Sequence, residues 1–543
     1  MAWKRSLITV VVLMAAIPLA ATACGRSATS SEITSPSNGL VSATKPGTTR
    51  VGPVTWAVYR DVNSLDPIFA FDYPENTADT LMCESLLRQT PYGAVVPGLA
   101  TMSQPSPTRL VFTIRPGVTF WDGHPVTPAD VVYSLDRDMN VKLGGFYVVI
   151  FSRVRSIAAT GARQVTITLT QPDYWLPDQM ASIPGIVIEK SFAQKQGQNY
   201  GTPAGSIMCT GAYMLKSWKP GVGVLAMANP HYWNPAVHPL VQQILIKGVP
   251  DVATFTSALE TGAIQGSYSY GLSTLDQLKS SRTVRVYEGP GWSTDAFVVS
   301  SLKGVLGDVR VRQALSMALD RRGIISSVYR GAALMPRWLS NPGTFGYARG
   351  IFTAAYNGSP VLTQNISAAR RLVQAAGATG KTLTIGTSSG LRDIAAVTGA
   401  YQAAAEAIGL KVKLASVSAQ NYINFFVDPK FRAGVDGLMS VNYGDWGDPV
   451  AMLRVFELPG GVENYDNFND PAITSLLERE RGTADPAERA RLLVQVEKLT
   501  VQQLPWIPSA QPFSLLLLNK NLTGAVASFA YMYAPWADRL GGP

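Results

Sequence analysis

Apolar and polar positions alternate cleanly between residues 109 and 115: Leu110, Phe112 and Ile114 face one way, Val111, Thr113 and Arg115 the other. That is the period-two signature of a half-buried strand. Pro116-Gly117 ends it, and Trp121-Asp122-Gly123 predicts a tight turn. Thr127, Pro128 and Asp130 then supply the N-cap, first-turn proline and dipole-facing acid of a helix. Upstream, the pattern predicts a strand over 54–59, a turn at Ser64-Leu65-Asp66-Pro67 and a helix over 76–88. Downstream it predicts strands over 164–169 and 185–188, then a hairpin with arms 210–218 and 224–227 about Lys219-Pro220-Gly221. A strand over 243–247 leads to a helix over 252–261, and a helix over 308–321 carries Val311, Leu315, Ala318 and Leu319 on one stripe. From 367 onward, helices (367–376, 393–408, 421–427) alternate with strands (382–386, 411–417, 437–442), which predicts an α/β lobe with a largely parallel sheet. Helices over 471–481 and 486–504 and an apolar strand over 513–518 complete the set.

A chain of 543 residues is too long for one core and predicts two or three lobes. Composition shifts near 205 and at Gly289-Pro290-Gly291 mark the boundaries. Charged residues are only 15%, the net charge is +9, and no Lys/Arg run offers a phosphate-backbone footprint, so nucleic acid is excluded as a partner. Lys4, Arg5, the apolar run 7–19 and Ala21-Thr22-Ala23 form a secretory signal peptide over 1–23, too short to span a membrane. Residues 25–52 are rich in Ser, Thr, Pro and Gly and predict a flexible tether.

Two strings imitate catalytic motifs. Gly386-Thr387-Ser388-Ser389-Gly390 fits a nucleophile elbow between a strand and a helix, the alternative of a serine hydrolase. Such a triad needs a downstream histidine, and His124, His231 and His238 all precede Ser388. Residues 375–382 end like a phosphate loop but follow a helix and precede a strand, the wrong order for one. Scattered histidines and the lack of a close Cys pair give no metal centre, and no cofactor is expected. The stretch Asn442-Tyr443-Gly444-Asp445-Trp446-Gly447-Asp448-Pro449 is different, since it leaves the C-terminal end of a strand, where open α/β sheets bind ligands. Asp445 could fix an ammonium by a charge-assisted hydrogen bond, Tyr443 and Trp446 could wall it, and Asp448 before Pro449 reads as a helix N-cap.

The run RPGVTFWDGHPVTPADVVYSLDR, together with Pro97-Gly98-Leu99-Ala100, Asn229-Pro230-His231-Tyr232-Trp233 and DVRVRQAL at 308–315, resembles the family 5 extracellular solute-binding proteins, the peptide and nickel receptors of ABC importers. The resemblance implies an α/β, large (class II, cluster C type) periplasmic-binding-protein fold of two lobes with an extra subdomain on the first. It implies lobe I from 53–88, 206–290 and 505–533, the subdomain at 89–205, and lobe II at 291–504, with the last strand returning to lobe I. It implies a monomeric receptor, not an enzyme, that holds short peptides (haem or a nickel chelate being the alternatives) for a permease driven by cytoplasmic ATPases. Cys24 ends a lipobox-like sequence and is the implied lipidation site, anchoring the chain to the outer face of the membrane after the tether that begins there. In peptide-binding members the acid matching Asp445 grips the peptide amino group, Asn442 replaces a usual Trp beside it, and Phe71, Asp72 and Tyr73 match the main-chain-pairing segment. Trp292, at the lobe junction, is implied to cover the ligand. Cys83 and Cys209 stand where the family has Tyr and Gly, a paired departure expected to be a disulfide.

Overall fold

The computed structural model describes residues 39–268 and 271–543, so the signal peptide and Cys24 lie outside the described residues. Among the described residues no helix is long and apolar enough to cross a membrane.

Two sheets form the two lobes. The first has seven strands, in the order Val284–Gly289, Ser514–Asn519, Gly266–Tyr268, Val54–Val58, Gln243–Gly248, Gly223–Ala228 and Tyr213–Lys219. The second has six, in the order Ala333–Leu334, Trp506–Pro512, Ser293–Val299, Gly437–Tyr443, Thr382–Thr387 and Lys411–Ser416. The chain crosses between them twice, at Pro290-Gly291 and at Phe513, where Val284–Gly289 continues into Ser293–Val299 and Trp506–Pro512 into Ser514–Asn519. The last strand thus returns to the first lobe, as the resemblance implied. The second sheet is parallel only around Thr382–Thr387, because Ser293–Val299 runs antiparallel to both its neighbours. Helix–strand alternation is blind to strands entering from the other lobe.

Strand Ser293–Val299 is buried at every position, and its alternate residues feed different cores. Ala296 and Val298 pack with Trp338, Phe456 and Leu493, while Phe297 and Val299 pack with Leu315, Tyr401 and Ile507. This is the sandwiched-sheet environment in which strands become continuously apolar.

The extra subdomain is a four-stranded antiparallel sheet in the order Ala100–Ser106, Arg109–Ile114, Gln164–Leu169, Val154–Gly161, with helix Pro128–Met139 against it. Leu110, Phe112 and Ile114 are buried as the alternation predicts. The Asp130 carboxylate accepts from the Thr127 N–H at 2.9 Å and the Thr127 hydroxyl at 2.6 Å, fixing the helix start. Cys83 and Cys209 are bonded, with Cα atoms 4.9 Å apart.

Several expected elements shift. The helix expected over 76–88 spans Tyr73–Met82, since Asp72 caps it and Pro74 sits in its first turn, while Cys83 is already extended. The expected strand at 185–188 is a 3-10 turn, Ile183–Gly185, plus a single bridge from Ile186 to Ser85. The helix expected over 308–321 stops at Ala318, and Asp320 caps a second one, Arg321–Ser327. Residues 41–51, expected in the tether, are strapped along lobe I. Val41 N–H donates to the Glu288 carbonyl, Thr44 exchanges hydrogen bonds with Gly524 and Ala525, and Val51 bridges Val241. Backbone and hydroxyl bonds hold this stretch, so its poverty in large apolar residues did not prevent order.

A buried acid ties the last long helix of lobe II to the segment before Asn341. Glu497, fully buried on helix Pro486–Gln503, accepts from the Leu339 and Ser340 N–H groups at 3.1 and 3.2 Å and from the Ser340 hydroxyl. Burial pushes its carboxyl up to about 7 despite those donors. A carboxyl raised on folding binds a proton that the unfolded chain has released, so stability falls as pH rises from the unfolded value toward 7. Glu497→Gln should remove up to about 3 kcal/mol of that slope, read as flatter denaturant midpoints between pH 5 and 7.

Candidate functional site

The parallel strands of the first sheet and the crossing segments enclose a cavity of about 360 Å³ between the lobes. Lobe I lines it with Trp56, Tyr59, Asp72, Tyr73 and Tyr268, and lobe II with Ser293, Asp295, Tyr329, Asp393 and Val441. Phe513, at a crossing point, and Phe529 and Tyr531, beyond the last strand, complete the wall. Its volume falls in the range of small-molecule sites. Of the residues that the sequence singled out, Asp72 and Tyr73 line this cavity. Asp72 accepts from the Arg60 guanidinium at 2.6 Å and caps the Tyr73 N–H at 2.7 Å.

Tyr443 packs its ring on Tyr73 and Phe529, at 5.4 Å from each, and donates its hydroxyl to the Phe71 carbonyl at 2.6 Å. It is therefore a direct contact between lobes. Phe71 itself is exposed against Phe146, with rings 4.2 Å apart. Asp445, two residues beyond Tyr443, lies outside the cavity lining with 33% of its side chain exposed. Its Oδ2 accepts from Arg454 at 2.8 Å, and its Oδ1 has only a long contact, 3.5 Å, from the Tyr533 hydroxyl. Burial raises the Asp445 carboxyl, and Arg454 and Tyr533 oppose that rise.

The rest of the loop is held by its surroundings. Trp446 is buried under the Arg454 guanidinium, 4.9 Å from its ring. Asn442 donates to Glu463 and caps the Tyr443 N–H, and the Gly444 N–H donates to the Trp292 carbonyl at 3.3 Å. Trp292 is buried, stacked on Tyr533 at 6.0 Å and 5.9 Å from Phe529, and does not itself line the cavity. Asp448, expected as the N-cap, stands one residue before it, since Pro449 is the N-cap of helix Val450–Glu457; its carboxylate still accepts from the Val450 N–H at 3.0 Å and pairs with Arg489 at 3.0 Å.

Sequence reading missed three groups. Gln89, at the start of the subdomain, donates to the Asp445 carbonyl at 3.2 Å and accepts from the Gly447 N–H at 3.1 Å, clamping the loop across the lobe interface. Arg454 was invisible because nine positions separate it from Asp445, a spacing that no single helix brings together. Asp295 lies on strand Ser293–Val299, which the sequence pattern did not predict, and the structure buries every position of that strand.

Ser388 follows strand Thr382–Thr387 and is fully buried, which keeps its hydroxyl out of solvent. Among the described residues, Asp122, His124 and Glu189 alone place metal-ligand atoms together, on the subdomain. Both carboxylates there already lie about the same His124 nitrogen, at 2.9 and 3.0 Å, and raise its affinity for a proton.

A family model for bacterial extracellular solute-binding proteins, family 5 (middle), matches residues 94–464. The periplasmic murein peptide-binding protein MppA of Escherichia coli K12 is 26% identical over 491 residues, covering 85% of this chain and 88% of its own. The periplasmic oligopeptide-binding protein OppA of the same strain is 24% identical, with coverages of 81% and 83%. Among solved structures, the periplasmic binding protein DppA from Helicobacter pylori, in complex with the peptide STSA, superposes with a TM-score of 0.77 at 20% identity, covering 91% of this chain and 98% of its own. NikA from Staphylococcus aureus, in complex with Ni(L-His)2, gives 0.74 at 18% identity, with coverages of 90% and 100%. These likenesses give the two-lobed periplasmic-binding-protein fold, and the family match over most of the chain gives its membership: the chain belongs to family 5 of the bacterial extracellular solute-binding proteins.

Proposed function

We propose that this chain is the peptide receptor of an ABC importer, closing its lobes on a short peptide and handing it to a membrane permease. The observation that carries the reading is the Asp445 carboxylate: Arg454 orients it through Oδ2, while Oδ1 is left with one weak contact and faces the lobe interface. A peptide ammonium at Oδ1 would complete the site with a charge-assisted hydrogen bond. Peptide is also the ligand of MppA, OppA and the DppA complex. None of the three histidines lines the cavity, which favours peptide over nickel chelate or haem. In this reading lobe I comprises 53–88, 206–290 and 514–533, the subdomain 89–205 and lobe II 291–512, since strand Trp506–Pro512, expected in lobe I, pairs in the second sheet, and Pro290-Gly291 and Phe513 are the bending points. Cys24 carries the lipid that keeps the monomer at the outer face of the membrane beside its permease and cytoplasmic ATPases.

Asp445→Ala should weaken tri-alanine binding roughly tenfold to a hundredfold, the worth of one hydrogen bond to a charged group. N-acetylating the peptide should cost the parent protein as much and the variant little. Calorimetric titration of both peptides into both proteins tests this. Equal affinity of parent and variant for tri-alanine would remove Asp445 from the site.

A further inference from the structure

The cavity between the lobes is lined by three acids, Asp72, Asp295 and Asp393. Asp295 lies on the central strand Ser293–Val299, opposite Val441 on one side and Ala510 on the other. The pairing slips between Asp295 and Ala296, a bulge of the kind that re-aims a side chain. Asp295 is 6% exposed, and its Oδ1 has no hydrogen-bond partner among the described residues. Asp393, in the first turn of helix Arg392–Ala407, lines the same cavity and is exposed. Asp72 lines it too but already holds Arg60. Among the described residues no Lys or Arg lines the cavity. A buried carboxylate oxygen without a partner is costly, and it persists where a ligand supplies the missing charge.

Building on the peptide-receptor reading, we propose that this cavity receives a cationic side chain of the bound peptide, lysine or arginine, with Asp295 as its counter-charge and Asp393 as the second acid. The rings of Tyr73, Tyr268 and Tyr329 line the same space and offer faces for an alkyl stem and its cation. Burial, with Asp393 nearby, pushes the Asp295 carboxyl well above the usual carboxylate range, and an arriving cation would relieve both causes.

The test is calorimetric titration of the full-length protein with tripeptides carrying one lysine at the first, second or third position, each against its norleucine counterpart. One lysine peptide should bind at least tenfold tighter than its norleucine twin, and Asp295→Asn should erase that difference. Equal affinity of every lysine and norleucine pair for the parent protein would overturn the proposal and leave the peptide reading standing. If no tripeptide binds, cadaverine separates the two ideas. Cadaverine binding that Asp295→Asn weakens keeps the cation site and refutes the peptide reading, and no cadaverine binding refutes the cation site as well.

Discussion

Cys83→Ala/Cys209→Ala should lower the stability of the oxidised protein by about 5 kcal/mol. The bond joins residues 126 apart, and the loop entropy that it removes from the unfolded chain grows with the logarithm of that separation. Its position makes the full effect expected. Cys83 ends helix Tyr73–Met82 and Cys209 precedes strand Tyr213–Lys219, so the bridge closes the neck through which the subdomain leaves and re-enters lobe I. Both residues are buried, and Gly211 N–H donates to the Met82 carbonyl beside them at 2.9 Å. With an unfolding entropy of roughly 2.1 cal/mol/K per residue over roughly 500 residues, the loss corresponds to a fall in melting temperature of about 5 °C. Calorimetric melting of parent and double variant, with and without reductant, measures it. A melting temperature unchanged by either treatment would contradict the assignment of stability to this bridge.

Arg489→Met should cost about 3–5 kcal/mol, the price of leaving buried acids without their cation. Arg489 is a hub: its Nε donates to Glu480 at 2.6 Å, and one terminal nitrogen lies 3.0 Å from Asp448 and 3.8 Å from Asp178. Asp448 and Glu480 have fully buried side chains. Burial already pushes Glu480 and Asp178 up to about 7 with the guanidinium in place. Without it their folded values rise further, and each carboxyl must stay protonated in the fold while the unfolded chain ionises. The penalty is therefore smaller near pH 5 and grows as pH rises through neutrality, which denaturant midpoints at pH 5 and pH 8 would show. Equal losses at the two pH values would mean that packing rather than charge is what Arg489 supplies. The pairing also explains why the loop ending in Asp448-Pro449 keeps its shape, since Arg489 ties that loop to helix Pro471–Arg481 and to the subdomain.

What the chain disclosed before folding was local. Leu110, Phe112 and Ile114 gave their strand because alternation is a property of neighbours, and Thr127 with Asp130 gave a helix start for the same reason. Elements set by distant contacts were misjudged. Gly185 sits so close to the Met180 backbone that a Cβ would lie 2.1 Å from its carbonyl oxygen, and Pro184 beside it turns the chain, so the apolar run at 185–188 never extends. The site was half legible. Motif likeness picked out Asp72, Tyr73 and the Asn442–Pro449 loop, but the partners that decide their roles, Gln89 across the lobe interface and Arg454 on the next helix, come from pairings that no periodicity records. Asp295 was missed altogether. Its strand, Ser293–Val299, was not expected at all, because Ser293, Thr294 and Asp295 give its first half no apolar pattern although the fold buries every position.

The central claim, that the lobes close on a short peptide, is tested most directly by titrating tri-alanine into the purified parent protein by calorimetry. Saturable binding with one peptide per chain is expected, lost in large part when the peptide is N-acetylated. No heat from tri-alanine, together with saturable binding of a nickel–histidine complex or haem under the same conditions, would contradict it.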